Sequence, residues 1–404
     1  MAIRAKLLLV AATRPNFMKV APVMRAVEAW NSSEHAAKHP GVLFDQVLVH
    51  TGQHYDRAMS DVFFADLGMS EPDHYLGAHD GSPVRQTAQV MVALEPILRT
   101  EQPDLVVVAG DVNSTLAAAL TAAKMNLPVA HVEAGLRSGD RAMPEEINRI
   151  LTDSLSELLF VTCRDAIDNL AAEGIAGEQV VFVGNPMIDT LETFRDKALQ
   201  RDTLRELDLT PGDYALVTLH RPSNVDDPAQ LKSLCEVIVA LAKERPVVFP
   251  VHTRTRLRLE AADGGSRLMH SANVRLTEPL GYLDFVALMA QARLVLTDSG
   301  GVQEETTVLG VPCLTARTTT ERPVTVSEGT NRLVDPYDQG AVLAAAQSAM
   351  RGPRSGMPTH NGKRPELWDG HAAGRIVTAI AAWVEHREAQ PVGVSRRQTS
   401  SIGG

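Results

Sequence analysis

Ala292-Arg-Leu-Val-Leu-Thr297 is a mostly apolar run of strand length, and Asp298-Ser-Gly-Gly-Val-Gln-Glu-Glu305 follows it directly. The order is a buried strand, a tight glycine turn and a helix start. Such a turn offers a hydroxyl, free backbone amides and the positive end of a helix dipole, which suits a diphosphate. Glu305 stands four positions after Gly301 on the same helix face, within reach of a ribose. The plain alternative is a strand–turn–helix whose glycines only allow close packing.

The same alternation extends outward in both directions. Ala5–Ala12, Phe44–Thr51, Asp104–Val108, Pro128–Glu133, Leu158–Thr162 and Val180–Val183 read as strands. Phe17–Trp30, Val84–Arg99, Thr115–Lys124, Glu145–Ser156 and Pro186–Lys197 read as the helices between them. The charged stretch Arg195 to Asp208 marks a boundary, after which a second series begins. Its strands lie near Ala215–Leu219, Val247–Val251, Val274–Thr277, Leu294–Thr297 and Pro312–Thr315, and its helices near Pro228–Lys243, Tyr282–Gln291, Val302–Leu309 and Gly340–Met350. Strand and helix in strict alternation imply a parallel sheet covered on both faces. The expected fold is therefore α/β, with two Rossmann-like doubly wound domains facing a cleft. The first spans residues 1–197 and the second 198–364. Residues 365–387 form a C-terminal helix, and 388–404 are a tail too poor in apolar residues to order.

Bulk properties fit this reading. The 404 residues exceed one typical core, and the 44% hydrophobic and 22% charged content is that of a soluble globular chain. A net charge of −10 argues against a nucleic-acid partner. Three widely spaced cysteines, Cys163, Cys235 and Cys313, form no disulfide or zinc pattern and suit a reducing cytoplasm. No stretch has the length and apolarity to span a bilayer. The apolar start, Met1 to Thr13, reads as a first strand rather than a leader.

In doubly wound sheets ligands bind beyond the carboxyl ends of the strands. Arg14 and Lys19 stand after the first strand and suit a phosphate or a uracil carbonyl; a solvated basic turn is the alternative. Asp111 follows Gly110, either as a reactive acid or as a helix cap. Glu133 ends its strand with no turn residue before it, so a desolvated carboxylate able to trade protons is expected there. Pro144-Glu145-Glu146 is a helix start in which one acid serves the dipole and Glu146 can pair with Arg149. In the second series His220-Arg221 and His252 end strands. The first turn lacks Gly-x-Gly-x-x-Gly, which argues against NAD, and no cluster has metal-ligand spacing, so no cofactor is expected.

Together these segments closely resemble the non-hydrolysing UDP-N-acetylglucosamine 2-epimerases, over residues 5 to 385. The resemblance rests on Thr13-Arg14-Pro15 with Lys19, Thr51-Gly-Gln-His54, Gly110-Asp111, His131-Val-Glu-Ala-Gly-Leu-Arg137 and Pro144-Glu-Glu-Ile-Asn-Arg149. Gly184-Asn185, His220-Arg221, Asp298 to Glu305 and Thr320-Glu-Arg-Pro323 complete it. It implies a glycosyltransferase-B-like fold, a C-terminal helix returning to the first domain and a homodimer. It further implies conversion of UDP-N-acetylglucosamine to UDP-N-acetylmannosamine for surface polysaccharide, by elimination and re-addition of UDP through a glycal. Carried over by motif, Asp111, Glu133, Glu145 and His220 are the catalytic set. Arg14, Lys19, Leu280, Phe285, Ser299, Gly300, Gly301, Glu305 and Arg322 hold UDP.

Some positions depart from the family pattern. Ala12 and Asn16 replace a common glycine and glutamate, and Gly139 to Pro144 is two residues shorter than in many bacterial members, where this loop helps form an allosteric substrate site. Met59 to Phe64 and Arg137 to Asp140 are similar to relatives acting on UDP-2,3-diacetamido sugar uronates. Those relatives tend to change the Gln-Glu-Glu and Glu-Arg-Pro motifs, which are intact here. Rival readings are a hydrolysing epimerase, a glycosyltransferase of the same fold and a non-catalytic sugar-nucleotide sensor.

Overall fold

Each half of the chain closes into one parallel sheet. The computed structural model describes residues 2–32, 41–52, 64–78, 81–261, 263–351 and 364–389. The first sheet contains β1 (Ile3–Ala11), β2 (Val42–His50), β3 (His74–Tyr75), β4 (Leu105–Ala109), β5 (Val129–Ala134), β6 (Leu158–Val161) and β7 (Val180–Phe182). Their order is β3-β2-β1-β4-β5-β6-β7, parallel throughout. The second contains β8 (Ala215–Thr218), β9 (Val247–Pro250), β10 (Val274–Thr277), β11 (Leu294–Thr297), β12 (Cys313–Ala316) and β13 (Asn331–Val334). Its order is β10-β9-β8-β11-β12-β13, also parallel. Both sheets thus share the doubly wound plan, with a switch point between β1 and β4 and another between β8 and β11.

Local sequence explains these elements. All five residues of β4, Leu-Val-Val-Val-Ala, are buried, a continuous apolar run suited to a sheet covered on both faces. The helices Pro83–Glu101, Pro144–Leu155, Pro186–Leu199 and Pro228–Ala242 each begin with proline, whose fixed φ matches a first turn that needs no N–H. Asn185 and Asp227 cap two of them, accepting from the amides of Met187 (3.0 Å) and Ala229 (2.9 Å). The helix Arg14–Asn31 starts before the expected Phe17 because Asn16 Oδ1 takes the Thr13 amide at 3.1 Å and closes the first turn.

Several elements exceed the sequence expectation. β3 has only two residues, and β13, Asn-Arg-Leu-Val, lacks a strong apolar pattern. The helix Thr253–Ala261 carries three arginines and little apolar periodicity, so pattern reading passes over it. The expected linker from Gly352, the tail beyond 389, Gln53, His54 and most of Met59 to Phe64 lie outside the described residues.

The final helix, Ala372–Ala389, packs on Arg14–Asn31 of the first half. Asp189 receives the Ala372 and Ala373 amides at 3.1 and 2.7 Å, capping that helix from across the fold. Buried Trp368 donates its indole N–H to the Thr162 carbonyl at 2.9 Å. The first core also takes in Tyr282, Leu283 and Val286 of the helix Tyr282–Gln291, so the two halves share apolar packing beside the cleft.

Candidate functional site

The site starts with an irregularity in β5. Glu133 has φ +72°, and the register of β5 against β6 slips between Val132 and Ala134. Left-handed backbone at a residue with a Cβ costs about 1–2 kcal/mol, so neighbouring interactions must hold it there. His131 and Asp153 do this from below. The His131 Nδ1–Asp153 Oδ1 bond is 2.6 Å, His131 Nε2 lies 2.8 Å from the Gly110 carbonyl, and the Gly135 amide donates to Asp153 Oδ2 at 3.1 Å. The bulge swings the Glu133 side chain toward the second half of the chain. Gly110 (φ +67°) leaves room for it, since a Cβ there would lie 3.0 Å from Lys19 Nζ and 3.3 Å from Glu133 Oε2.

Glu133 is 4% exposed, but it is not the lone desolvated acid that its strand position suggests. Lys19 pairs with Oε2, and Arg322 Nη2 donates to Oε1 at 2.7 Å. Lys19 is buried too, which excludes the solvated basic turn. The helix of Arg14 begins beside it; the Arg14 side chain lies outside the described residues. Asn16, at one of the departures from the family pattern, donates to the Ala109 carbonyl at 2.7 Å and ties this turn to β4.

Asp111 does not cap the next helix, whose cap position is Val112. Its Oδ2 accepts from Arg149 Nε at 3.0 Å. Burial would raise its carboxyl, but Arg149, Lys19 and Arg322 together hold it below the usual aspartate value. Glu146 has the structural role open to it: it takes the Ser138 and Gly139 amides and pairs with buried Arg149. This pins the short loop before Pro144. Glu145 is half-buried, and its charge acts weakly on Arg221.

The second half contributes the ends of β8 and β11. Buried Asp298 accepts the backbone amides of His220 (3.0 Å) and Arg221 (2.9 Å) and the Asn224 side chain (3.0 Å), and lies 3.0 Å from His220 Nδ1. Burial would raise its carboxyl, yet His220 and these donors hold it at about 2. The rings of His220 and His252 lie 6.5 Å apart. Ser299 stands at the N-cap position of the helix Gly300–Leu309 without a side-chain capping bond, and the first amides of that helix have no intrahelical acceptor. A Cβ at Gly300 would come within 2.6 Å of Arg322 Nη1, so a larger residue there would displace that guanidinium.

Glu305 shares a helix face with Gly301, as the sequence implies, but that face turns toward the helices Pro186–Leu199 and Tyr282–Gln291. A Cβ at Gly301 would meet Met187 at 2.9 Å, and Glu305 Oε1 accepts from Tyr282 at 2.9 Å. Burial raises the Glu305 carboxyl to about 8, with the Tyr282 hydrogen bond opposing and Glu304 adding to the rise. Leu280 and Phe285 are partly buried against the same core.

Three charged residues that the sequence reading did not single out complete the cluster. Glu321 pairs with Arg322 and Arg317, both at 2.7 Å. Arg149 reaches toward it at 3.9 Å. Fully buried Glu304 lies 2.8 Å from Arg322 Nε, and neither of its oxygens has a hydrogen-bond partner. Burial raises its carboxyl, Arg322 opposes this and Glu133 adds to it. Glu304 and Glu321 sit inside the quoted motifs. His131 and Asp153 are 22 residues apart on different elements, and no local pattern links them. Among the described residues no group of three His, Cys, Asp or Glu side chains is placed to hold a metal.

The arrangement sets proton-accepting carboxylates beyond the first sheet against a histidine, arginines and an open helix N-terminus beyond the second. Two doubly wound domains with such a cleft define a glycosyltransferase-B-like α/β protein built for an anionic, nucleotide-like ligand. Residues 37–381 match the UDP-N-acetylglucosamine 2-epimerase family, and the chain belongs to it. It is 39% identical over 367 residues to the UDP-N-acetylglucosamine 2-epimerase of Methanocaldococcus jannaschii, covering 89% of this chain and 97% of that one. The UDP-2,3-diacetamido-2,3-dideoxy-D-glucuronate 2-epimerase of Pseudomonas aeruginosa is 41% identical over 332 residues, covering 81% and 88%. The crystal structure of the M. jannaschii enzyme in complex with UDP-GlcNAc and UDP superposes with a TM-score of 0.83 at 38% identity, covering 93% of this chain and 99% of that one.

Proposed function

We propose that this chain interconverts UDP-N-acetylglucosamine and UDP-N-acetylmannosamine without releasing the free sugar. A carboxylate takes the proton from C2, the C–H electron pair becomes the C1=C2 bond, and the C1–O pair leaves with UDP. Protonation of C2 on the other face and return of UDP to C1 complete the inversion. Asp111, Glu133 and Glu145 are the candidate proton carriers, and Glu133 is favoured because strained backbone presents it. His220 and the amides after Ser299 face the charge that develops on the diphosphate. Arg14, Lys19, Leu280, Phe285, Ser299, Gly300, Gly301, Glu305 and Arg322 hold the nucleotide. The observation that carries this reading is the Glu133–Arg322 pair, which joins a proton-accepting group to a phosphate-binding one across the two sheets.

A homodimer and a cytoplasmic setting complete the proposal. Val84 (78% exposed), Val92 (74%) and Leu151 (45%) are exposed apolar side chains on two helices of the first half, the surface assigned here to a second copy. The product would serve surface-polysaccharide assembly. The test is a proton spectrum of the protein incubated with UDP-N-acetylglucosamine. UDP-N-acetylmannosamine should accumulate without a matching pool of N-acetylmannosamine; stoichiometric free sugar would make the enzyme a hydrolysing one.

A further inference from the structure

We infer that Asp298 is the positioning residue for His220, fixing its tautomer so that Nε2 is the nitrogen offered to the cleft. This rests on the reading of His220 as a group that meets the departing diphosphate. The two carboxylate oxygens of Asp298 have different tasks. Oδ2 takes the Arg221 amide at 2.9 Å, Asn224 Nδ2 at 3.0 Å and the His220 amide at 3.0 Å, the last shared with Oδ1 at 3.2 Å. Oδ1 faces His220 Nδ1 at 3.0 Å. Oδ2 is filled by three donors, and an acceptor-only Oδ1 opposite Nδ1 requires the proton on Nδ1. Among the described residues Nε2 has no hydrogen-bond partner, and the His220 side chain is 46% exposed.

The aspartate is well placed to hold this geometry. It is fully buried and follows β11 directly, while His220 follows the adjacent strand β8, whose Thr218 is in register with Thr297. A Thr218–Thr297 hydroxyl contact of 2.8 Å locks the two strand ends beneath it. A second bond from Arg221 Nε to the Asp298 carbonyl (2.9 Å) keeps the His220–Arg221 turn from swinging away. A buried carboxylate that orients a histidine through Nδ1 and leaves Nε2 for chemistry is a recurring catalytic device. Here the exposed Nε2 takes up a second proton and hydrogen-bonds through it to the phosphate oxygen that leaves C1, while Asp298 balances the positive charge of the doubly protonated ring.

The test compares Asp298→Asn with His220→Gln. In D298N the side-chain oxygen can still serve the three donors now on Oδ2, which turns Nδ2 toward His220 Nδ1, forces the single ring proton onto Nε2 and leaves the ring with neither a free Nδ1 to protonate nor an anion to balance its charge. Calorimetric affinity for UDP should stay within about threefold, while kcat falls about 100-fold, the signature of a wrong tautomer rather than lost binding. Nitrogen NMR of histidine-labelled wild-type protein, assigned by the signal missing in H220Q, should show Nδ1 protonated in the neutral ring. Undiminished kcat in D298N, or a wild-type ring protonated on Nε2, would overturn the inference. Full activity in H220Q would instead sink the reading of His220 itself. Should D298N fail to fold, the wild-type nitrogen spectrum decides alone.

Discussion

Arg322 Nη2 and Glu133 Oε1, 2.7 Å apart, join residues 189 positions distant in the chain and tie the loop before the helix Val324–Ser327 to the strained bulge of β5. Both side chains are buried, and Lys19 completes the anion's coordination. On the proposed assignment a nucleotide that engages Arg322 shares it with Glu133, which would couple binding and proton transfer through one guanidinium.

Changing Glu133 to Gln keeps the shape and removes the charge. Turnover should fall at least ~100-fold, the low end of general acid–base contributions. Lys19 and Arg322 would lose their shared anion, so stability should also fall by about 3 kcal/mol. Activity within tenfold of the parent, a barrier change of about 1.4 kcal/mol, would make Glu133 a structural acid only.

Ser299→Ala removes a hydroxyl at the N-terminus of the helix Gly300–Leu309 that has no capping bond to lose. Its melting temperature should not move, while UDP affinity measured by calorimetry should drop several-fold. An unchanged affinity would remove Ser299 from the nucleotide site.

The strand at Leu294–Thr297, the glycine turn and the proline-led helices were legible because each is a local pattern: an apolar run, a turn residue, a first-turn cap. The end-of-strand placement of Asp111, Glu133 and His220 followed from the doubly wound plan. The left-handed backbone of Glu133 was not legible, because a glutamate carries no signal for positive φ. The pairing of Arg322 with Glu133 and of His131 with Asp153 depends on tertiary folding, which periodicity does not encode. Glu305 shows the limit of helix-face arithmetic. Its face was right, but which neighbour that face meets is set by how the helix Tyr282–Gln291 packs.

Glu305 also predicts a pH dependence. Its carboxyl rises from 4.5 to about 8 in the folded chain, first through burial. Between those values the folded state holds a proton that the unfolded state releases, so this residue makes stability fall as pH rises through that window. Glu305→Gln should flatten the dependence. Urea midpoints for parent and variant at both ends of the window should converge at low pH and separate at high pH; parallel curves would contradict the assignment.

Trp368 anchors the return of the C-terminal helix through its bond to the Thr162 carbonyl and its full burial. Trp368→Ala should cost about 3–5 kcal/mol in denaturant unfolding, the usual range for a buried tryptophan. A loss under about 1 kcal/mol would mean the site collapses around the gap, or that the helix is held mainly by the Asp189 cap.

On the proposed mechanism C2 inverts by breaking its C–H bond. A proton taken by Glu133 or a neighbouring acid exchanges with water before the opposite face is protonated. The decisive measurement is the reaction of UDP-N-acetylglucosamine in deuterium oxide, with the product's C2 followed by proton NMR and mass spectrometry. UDP-N-acetylmannosamine carrying deuterium at C2, with traces of free UDP and glycal, is the predicted result. Product that retains its original C2 hydrogen in full would contradict the elimination and re-addition mechanism.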